Sequence, residues 1–286
     1  MGTSISLLFS SKYKTFFDLS TEDALIPDLS QGWVPQALGY IPEKKWLLVT
    51  NYNDDKKTAS SIAVIDSITK TFIKRILLAK KNGDVYTGHA GGIAVSKTNV
   101  FISSNKSLYQ IEISAIIAAS DNSTIKFVNQ FSIDTQGSFA YFDLTDNILW
   151  AGDFVDGKDE KQQPKLVGYK LNINDTLNNS RLSATYTWNI PVKIQGMVII
   201  NDKCVFSQSY GRASDSKLII ANKGYNGKQL KTITLTPLSE GLSYHPNSND
   251  LFIIFESAAQ QYLDGGTYPL KNIYKINVKK LFKDIA

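Results

Sequence analysis

The sequence predicts an all-β protein, a five-bladed β-propeller with four strands in each blade, and two observations support this prediction. One pattern of apolar strands and polar turns occurs five times along the chain. The repeats begin roughly 45–57 residues apart, which is the spacing typical of four-stranded propeller blades. A two-sheet sandwich, the alternative all-β architecture, does not explain five copies of one pattern. We therefore expect a single propeller domain over residues 1–286.

Each repeat opens with two apolar strands joined by a short polar turn. The five pairs read QALGYIPEKKWLLVTNYN from Gln36, GGIAVSKTNVFISSN from Gly91, SFAYFDLTDNILWAGDF from Ser138, QGMVIINDKCVFSQSYG from Gln195 and EGLSYHPNSNDLFIIFES from Glu240. A third strand follows every pair, as SIAVID does in the first repeat, and a fourth follows in the first four repeats. This order places the blades near residues 33–80, 86–134, 136–191, 193–236 and 238–282.

The fifth repeat shows no fourth strand after NIYKINVKKLF. The segment KYKTFFDL, residues 12–19, lies outside the repeats and has no other blade to join. We predict that it forms the missing outer strand beside residues 272–278 and closes the ring, which removes the exposed sheet edges of an open ring. The apolar segment ISAIIAAS near Ile113 is interpreted as a helical excursion between the third and fourth strands of the second blade.

The opening of the fifth repeat, SEGLSYHPNSNDLFIIFE, resembles a blade of the six-bladed gluconolactonase and regucalcin-like propellers. It is also similar to stand-alone propellers related to YncE and virginiamycin B lyase. The resemblance covers one blade specifically and the rest of the chain as a pattern, and it implies the propeller fold. The metal site of the lactonase group takes an acid, two asparagines and an aspartate of a late Asp-Gly loop. Only Glu240 occupies a matching position here, and the sequence shows five blades instead of six.

The composition narrows the class of protein. The hydrophobic fraction of 43% allows a sizeable core, and no stretch reaches the ~18 consecutive apolar residues of a membrane-spanning helix. The net charge of +5 comes from scattered lysines, so we expect no nucleic-acid partner. The apolar context of the single cysteine, Cys204, predicts an inert buried thiol. We expect a monomer, and we favour a secreted, extracytoplasmic protein whose signal peptide is not part of this chain.

The segment YTGHAGGIAV, residues 86–95, places His89 among glycines directly before an inner strand. Backbones crowd around the axis of a propeller, so glycine is favoured where strands approach closely. Strand alternation puts His89 on the face that borders the axial channel. The equivalent positions in the other repeats are Gln36, Ser138, Gln195 and Glu240. We predict that these five polar residues surround one pocket, and a structural channel filled with water is the alternative.

Further polar residues end the second strand of several pairs, and we predict that they form the rim of the pocket. They are Asn51, Tyr52, Asp153, Gln208, Tyr210, Arg212 and Glu256. The long loops 153–165 and 256–272 occupy corresponding places in the third and fifth repeats, so we expect both on the same face of the ring. Tyr262 in the second loop would suit stacking on a ligand from a mobile flap.

His89, Glu240 and Asp153 are the candidate catalytic residues. A histidine titrates near neutral pH, so His89 with Glu240 is a candidate acid–base pair. Asp153 with Glu240 is the alternative, as the two carboxylates of a glycosidase. No nucleophile motif and no His/Cys metal-ligand spacing is present, so no cofactor is evident, and a structural or catalytic calcium ion is left open. His245, in YHPNSND, is predicted to lie on the surface.

Three hypotheses about function remain open. The first is a propeller that binds a polar small molecule or glycan in its axial pocket. The second adds hydrolase or lyase activity in that pocket, with His89 as the residue of greatest consequence. The third is a non-catalytic scaffold whose rim binds another protein.

Overall fold

The computed structural model describes residues 12–285 and has the predicted architecture, a ring of five antiparallel four-stranded sheets. In every blade the chain starts at the inner strand and proceeds outward. The five inner strands contact one another in a closed circle around the axis. The start of each inner strand therefore reaches the same end of the axial channel.

The strands are numbered along the chain, and β1 (Ser20–Leu25) is the outer strand of the fifth blade. The first blade contains β2 (Trp33–Ile41), β3 (Trp46–Asn53), β4 (Ser61–Asp66) and β5 (Phe72–Ala79). The second contains β6 (Gly92–Val95), β7 (Asn99–Ser104), β8 (Ser107–Glu112) and β10 (Asn129–Ser132), and β9 (Thr124–Lys126) joins the first blade. The third contains β11 (Phe139–Asp143), β12 (Ile148–Gly152), β13 (Lys165–Lys170) and β14 (Tyr186–Asn189).

The fourth blade contains β15 (Ile194–Ile200), β16 (Lys203–Gln208), β17 (Ser216–Asn222) and β18 (Gln229–Leu235). The fifth contains β19 (Ser239–His245), β20 (Asp250–Phe255) and β21 (Asn272–Asn277), completed by β1. Short helices lie between or beside these strands: α1 (Lys14–Leu19), α2 (Ile113–Ala118), α3 (Gln260–Leu263) and α4 (Val278–Leu281).

The prediction that residues 12–19 form the closing strand is wrong. Most of these residues form α1, and the next segment, β1, pairs antiparallel with β21 from Ser20 opposite Ile276 to Leu25 opposite Asn272. An N-terminal strand does close the ring, but it begins at Ser20. A short apolar run does not distinguish a helix from a strand, and the polar residues that open β1, STED, carry little strand signal.

Helix α1 and strand β1 are anchored by different interactions. Phe16 of α1 is fully buried, and its ring centre lies 5.9 Å from that of Phe255 and 5.5 Å from that of Tyr274. Asp23 of β1 is also buried, and its Oδ1 lies 3.2 Å from Lys70 Nζ in the first blade. The same oxygen lies 3.6 Å from Lys275 Nζ in the fifth blade, so one carboxylate links the last blade to the first.

Five clusters of buried apolar side chains fill the gaps between neighbouring blades. The cluster between the fourth and fifth blades, for example, contains Ile220 of β17 and Ile253 of β20. Each sheet thus buries both of its faces, which explains why strands such as β3 read as continuous apolar runs. The apolar core is therefore divided among the five gaps between blades, and other residues line the axial channel.

The connection in the second blade includes the predicted helix, α2, between β8 and β10. Before the chain reaches β10, β9 pairs in parallel with β5 of the first blade, with Leu77 opposite Thr124. This excursion joins the outer edges of two blades.

Glycines let the inner strands touch through their backbones. A Cβ atom at Gly241 would lie 2.6 Å from the Cα of Ala37, and one at Gly92 would lie 2.4 Å from the backbone nitrogen of Ala140. No larger side chain fits at these contacts. These backbone contacts narrow the axial channel between its two ends. The cavities at the two ends share no lining residue.

The prediction that His245 lies on the surface is wrong. Strand β19 continues through His245, which pairs with Asp250 and is 4% exposed. Its ring stacks between Tyr40, at 3.6 Å, and Phe252, at 4.1 Å. Burial lowers the pKa of His245 to about 3, so the ring is uncharged at neutral pH.

Cys204 is buried, as predicted, and burial raises the pKa of its thiol to about 12. A thiol that stays protonated is a poor nucleophile. None of the helices within residues 12–285 is long and apolar enough to cross a membrane.

Candidate functional site

A cavity of about 940 Å³ opens at the end of the ring where the inner strands begin. All five repeats contribute to its wall at equivalent positions, with Gln36, His89, Ser138, Gln195 and Glu240. Three of the predicted rim residues, Tyr210, Arg212 and Glu256, line the same cavity, and so does Tyr262 of the predicted flap. The structure thus brings together the residues that the repeat pattern aligns, while their roles stay predictions.

Three of the inner strands are irregular at the residue that lines the cavity. The strand register shifts between Pro35 and Leu38 in β2, between Ile194 and Gly196 in β15, and between Ser239 and Leu242 in β19. Gln36, Gln195 and Glu240 lie inside these shifts. A β-bulge takes a side chain out of the regular strand alternation, and bulges are frequent next to functional sites. The bulges therefore position these three side chains at the cavity.

Two glutamates whose carboxyl groups contact each other form the deepest part of the cavity. Glu240 is 3% exposed and Glu256 is 6% exposed, and the two carboxyl groups lie close enough for each to shift the pKa of the other. Burial, together with the charge of Glu256, raises the pKa of Glu240 well above its usual value. Burial also raises the pKa of Glu256 to about 7. At neutral pH burial therefore favours a protonated carboxyl group within this pair.

Neutral groups hold this carboxyl pair. Gln36 Nε2 donates to Glu256 Oε2 at 2.9 Å, and Tyr262 lies near enough to the Glu256 carboxyl to lower its pKa. The guanidinium of Arg212 lies over the Tyr262 ring, 5.1 Å from its centre, and its charge opposes part of the rise in the pKa of Glu256. Among the ion pairs of residues 12–285, none includes Glu240 or Glu256.

His89 belongs to the wall of the cavity and connects to the carboxyl pair through two tyrosines. Its ring stacks on Tyr52, with 4.4 Å between ring centres and 14° between ring planes. The Tyr52 hydroxyl accepts a hydrogen bond from Gln261 Nε2, and Tyr262 and Glu256 both lie close enough to Tyr52 to shift its pKa. His89 is exposed at the wall of the cavity, and partial desolvation by the neighbouring protein lowers its pKa. The ring is therefore neutral at pH 7.

Hydroxyl groups of the first blade fix the backbone on both sides of His89. Ser60 donates to the carbonyl of Gly88, and Thr50 Oγ1 donates to the carbonyl of Ala90 at 2.7 Å. Ala90 has a φ of +50°, so the chain turns sharply between His89 and β6. The fold thereby sets the position of His89 at the cavity.

Another part of the wall is aromatic and polar but carries little charge. The rings of Phe154 and Tyr210 lie 5.6 Å apart, and Tyr210 is 42% exposed. Arg212 Nη1 donates to the carbonyl of Asp264 at 2.8 Å, which ties the fourth blade to the loop of the fifth. Uncharged donors and acceptors complete the lining: Ser104, Asn105, Gln136, Ser138, Gln195 and Ser209. This combination of rings and neutral polar groups suits a polar, uncharged ligand.

Asp153, a predicted catalytic residue, does not line the cavity. Its carboxylate accepts the backbone N–H of Gln136 at 2.7 Å and that of Lys165 at 3.1 Å. These bonds make Asp153 a bridge within the third blade. The predicted pairing of Asp153 with Glu240 as the two acids of a glycosidase therefore has no geometric support.

Three predicted ligand-binding residues lie behind the lining. Asn51 is fully buried and donates to the carbonyl of Val49, and Gln208 donates to the carbonyl of Val192. Tyr52 supports the wall indirectly, because its ring stacks against the ring of His89.

Several lining residues are not singled out by the repeat pattern. They are Asn105, Gln136, Phe154, Ser209 and Leu238. Each lies within three residues of the end or start of a strand that reaches the cavity. A search of the positions just beyond the predicted strand ends would therefore have identified these residues.

Within residues 12–285, no group of three or more His, Cys, Asp or Glu side chains gathers in a way that could hold a metal ion. The cavity supplies the two carboxyl groups of Glu240 and Glu256. A bound calcium ion stays a prediction from the sequence.

No protein-family model and no curated protein matches the chain. Among solved structures, the fold is similar to glutaminyl cyclase of Myxococcus xanthus, with a TM-score of 0.53 and 8% identity over 90% of this chain and 93% of that chain. It is similar to the tail fibre of Staphylococcus aureus phage P68, with a TM-score of 0.53 and 11% identity over 90% of this chain. This chain spans about half of that fibre, 52% of its length.

A third similar structure is regucalcin, a calcium-binding protein of Agrobacterium tumefaciens. It matches with a TM-score of 0.48 and 7% identity, over 89% of this chain and 93% of that chain. At such identities the likeness shows the propeller fold alone, and the function rests on the geometry of the site.

Proposed function

We propose that the axial cavity binds a polar, uncharged small molecule and that the pair Glu240–Glu256 hydrolyses an ester, lactone or amide bond in it. The contact between the two buried carboxyl groups carries this proposal. A protonated acid beside a carboxylate supplies a general acid and a general base at one place. Strongly perturbed pKa values inside a cavity are typical of catalytic groups.

In this reaction Glu256 is the base and Glu240 is the acid. Ionised Glu256 takes a proton from a water molecule while the water oxygen attacks the carbonyl carbon of the substrate. Glu240 gives its proton to the carbonyl oxygen, so no isolated negative charge develops in the buried site. When the tetrahedral intermediate collapses, that proton returns to Glu240 and Glu256 protonates the leaving oxygen or nitrogen. One water molecule is consumed, and both carboxyl groups return to their initial states.

The same contact argues against a glycosidase. The two carboxyl groups of glycosidases are separated by about 5–5.5 Å or about 6.5–9.5 Å, because the glycosidic bond lies between them. Two carboxyl groups in direct contact, as proposed here for Glu240 and Glu256, leave no such room. Attack of water on a planar carbonyl needs acid and base on neighbouring atoms, and it suits a contacting pair.

Apart from Arg212 and the glutamate pair, the lining is uncharged, which supports a substrate of low charge. Gln36 and Gln195 offer amide groups, while His89 and Tyr210 offer ring faces. A sugar lactone, a small ester of a polyol or a short amide would satisfy both features.

The proposal is tested at pH 7 by proton release from a panel of sugar lactones and small esters, and by chromatographic detection of the products of small uncharged amides. We expect hydrolysis of at least one class, and both Glu240→Gln and Glu256→Gln should lower it at least ~100-fold. Glu112→Gln, at an exposed glutamate outside the cavity, is the matched control and should keep wild-type activity. The same assay with added calcium or a chelator tests the calcium prediction.

Calorimetry with the same compounds separates binding from turnover. Saturable binding that Glu256→Gln weakens, without hydrolysis, would leave a binding propeller and remove the catalytic part of the proposal. Neither binding nor hydrolysis across the panel would contradict the proposed substrate class.

A further inference from the structure

A second cavity lies at the other end of the axial channel, where the inner strands end. Its volume is about 720 Å³, and all five inner strands contribute to its lining. It has no lining residue in common with the polar cavity. The backbone contacts at Gly92 and Gly241 occur along the inner strands between the two ends.

This second cavity is apolar where the first is polar. Its deepest residues are Leu38, Ile93 and Leu242, each no more than 4% exposed. Aromatic rings form much of the wall, from Tyr40, Tyr141, Phe142 and Tyr244. The apolar cavity therefore offers ring faces and aliphatic groups to anything that enters it.

The polar atoms of this wall are largely engaged within the protein. The Tyr141 hydroxyl donates to the carbonyl of Ile199 at 3.1 Å, and the Tyr244 hydroxyl donates to Asn249 Oδ1 at 3.1 Å. Asp143 forms an ion pair with Lys223 at 2.9 Å. A ligand would thus meet the ring faces of Tyr141 and Tyr244, whose hydroxyls are already satisfied, while the charged side chains Glu43 and Lys97 are exposed.

We propose that the apolar cavity is a second binding site, for a small uncharged molecule with an apolar body that contains one or more rings. The volume falls in the range of about 300–1,000 Å³ found for ligand pockets. A flat protein surface cannot reach residues as deep as Ile93, whereas a narrow molecule can. Aromatic walls favour a ring through offset or edge-to-face contacts, and burial of apolar area favours binding. This site is independent of the function proposed for the polar cavity.

The test uses N-phenyl-1-naphthylamine, an uncharged compound with three aromatic rings whose fluorescence rises in apolar surroundings. We expect a saturable rise with one site per chain. Val95→Arg puts a charge on the half-buried wall and should weaken binding by about ten-fold or more. Leu144→Asp, at a rim residue that is 51% exposed, should weaken it by about three-fold or more and leaves the core untouched.

Two variants serve as controls for this test. Val128→Arg changes an exposed valine outside both cavities, and Glu240→Gln changes only the polar cavity; both should bind the probe as the wild type does. Thermal unfolding verifies that the Val95→Arg protein is folded. The proposal is overturned by an absence of saturable binding, by equal loss in Val128→Arg, or by wild-type affinity in both cavity variants.

Discussion

Two of the regions that bury carboxyl groups, the ring closure and the polar cavity, compensate the charge in different ways. At the ring closure, the buried Asp23 lies between the ammonium groups of Lys70 and Lys275, at 3.2 Å and 3.6 Å. In the polar cavity, Glu240 and Glu256 lie against each other, and Glu240 retains a proton. A carboxylate held by fixed cations is a structural tie, whereas a carboxyl pair that shares a proton can exchange it with a substrate. The difference separates the groups that hold the ring from the groups that we assign to chemistry.

The largest expected effect is the loss of the closing strand. Deletion of residues 1–25 removes α1 and β1 and leaves β21 as an open edge, so we expect no cooperative unfolding transition at 25 °C. Deletion of residues 1–19 removes α1 with Phe16 but keeps β1, and it should cost about 3–5 kcal/mol of unfolding free energy. Urea denaturation followed by circular dichroism measures both. Equal stability of the two deletions would contradict the closure by β1.

The carboxyl pair should make stability depend on pH in a direction opposite to that of a salt-bridged acid. The pKa of Glu256 is raised from 4.5 to about 7, so the folded state binds the proton more tightly than the unfolded state. The stabilisation is complete below pH 4.5 and is lost as the pH rises through 7, a loss on the order of 3 kcal/mol.

Glu256→Gln should remove this loss and make the protein more stable than the wild type at pH 8. Denaturation of both proteins at pH 5.5 and pH 8 measures the effect, with Glu112→Gln as the control. A variant less stable than the wild type at both values would show that the glutamate is structural.

The ion pairs at the ring closure should stabilise the folded protein and have no effect on activity. Asp23→Asn leaves Lys70 and Lys275 without their partner and should lower the unfolding free energy by about 2 kcal/mol, because both lysines still reach water. Urea denaturation measures the unfolding free energy of the variant, and the proton-release assay measures the activity of its polar cavity. Stability should fall while activity per folded molecule stays unchanged; a loss of activity would couple the two regions.

The smallest effect is expected at His89. His89→Ala removes the stack on Tyr52 and should cost about 1 kcal/mol of stability together with a several-fold loss of ligand binding. His89→Phe keeps a ring in the stack and should restore both. Calorimetry and thermal unfolding distinguish the outcomes. Binding lost equally in both variants would instead assign a role to the imidazole nitrogens.

The architecture could be predicted from the sequence because it is repeated. Five copies of one strand pair specify five blades, and the same alignment places Gln36, His89 and Glu240 at one end of the axis. The closing segment is not a repeat, and its eight or so residues carry too little pattern to separate α1 from β1. His245 is predicted to lie on the surface because the sequence does not locate strand ends to within one residue. The strand extends through His245, and this one residue of extra length buries its side chain.

The chemistry of the site depends on contacts that no periodicity reports. Glu240 reaches Glu256 because β19 bulges beside β20, and a bulge is invisible in a pattern of apolar residues. Asp153 looked like a catalytic acid, but two backbone N–H groups take its carboxylate. The apolar cavity depends on where the ends of five strands converge, and the sequence shows those ends only as ordinary core residues.

The central claim is that Glu240 and Glu256 share a proton at neutral pH. Protein labelled with ¹³C at the glutamate carboxyl carbon reports each protonation state by NMR, and Glu240→Gln and Glu256→Gln assign the two signals. We predict one carboxyl signal that remains in its protonated position at pH 7 and a second that titrates near pH 7. Two signals that both titrate below pH 5 would contradict the shared proton and, with it, the proposed acid–base pair.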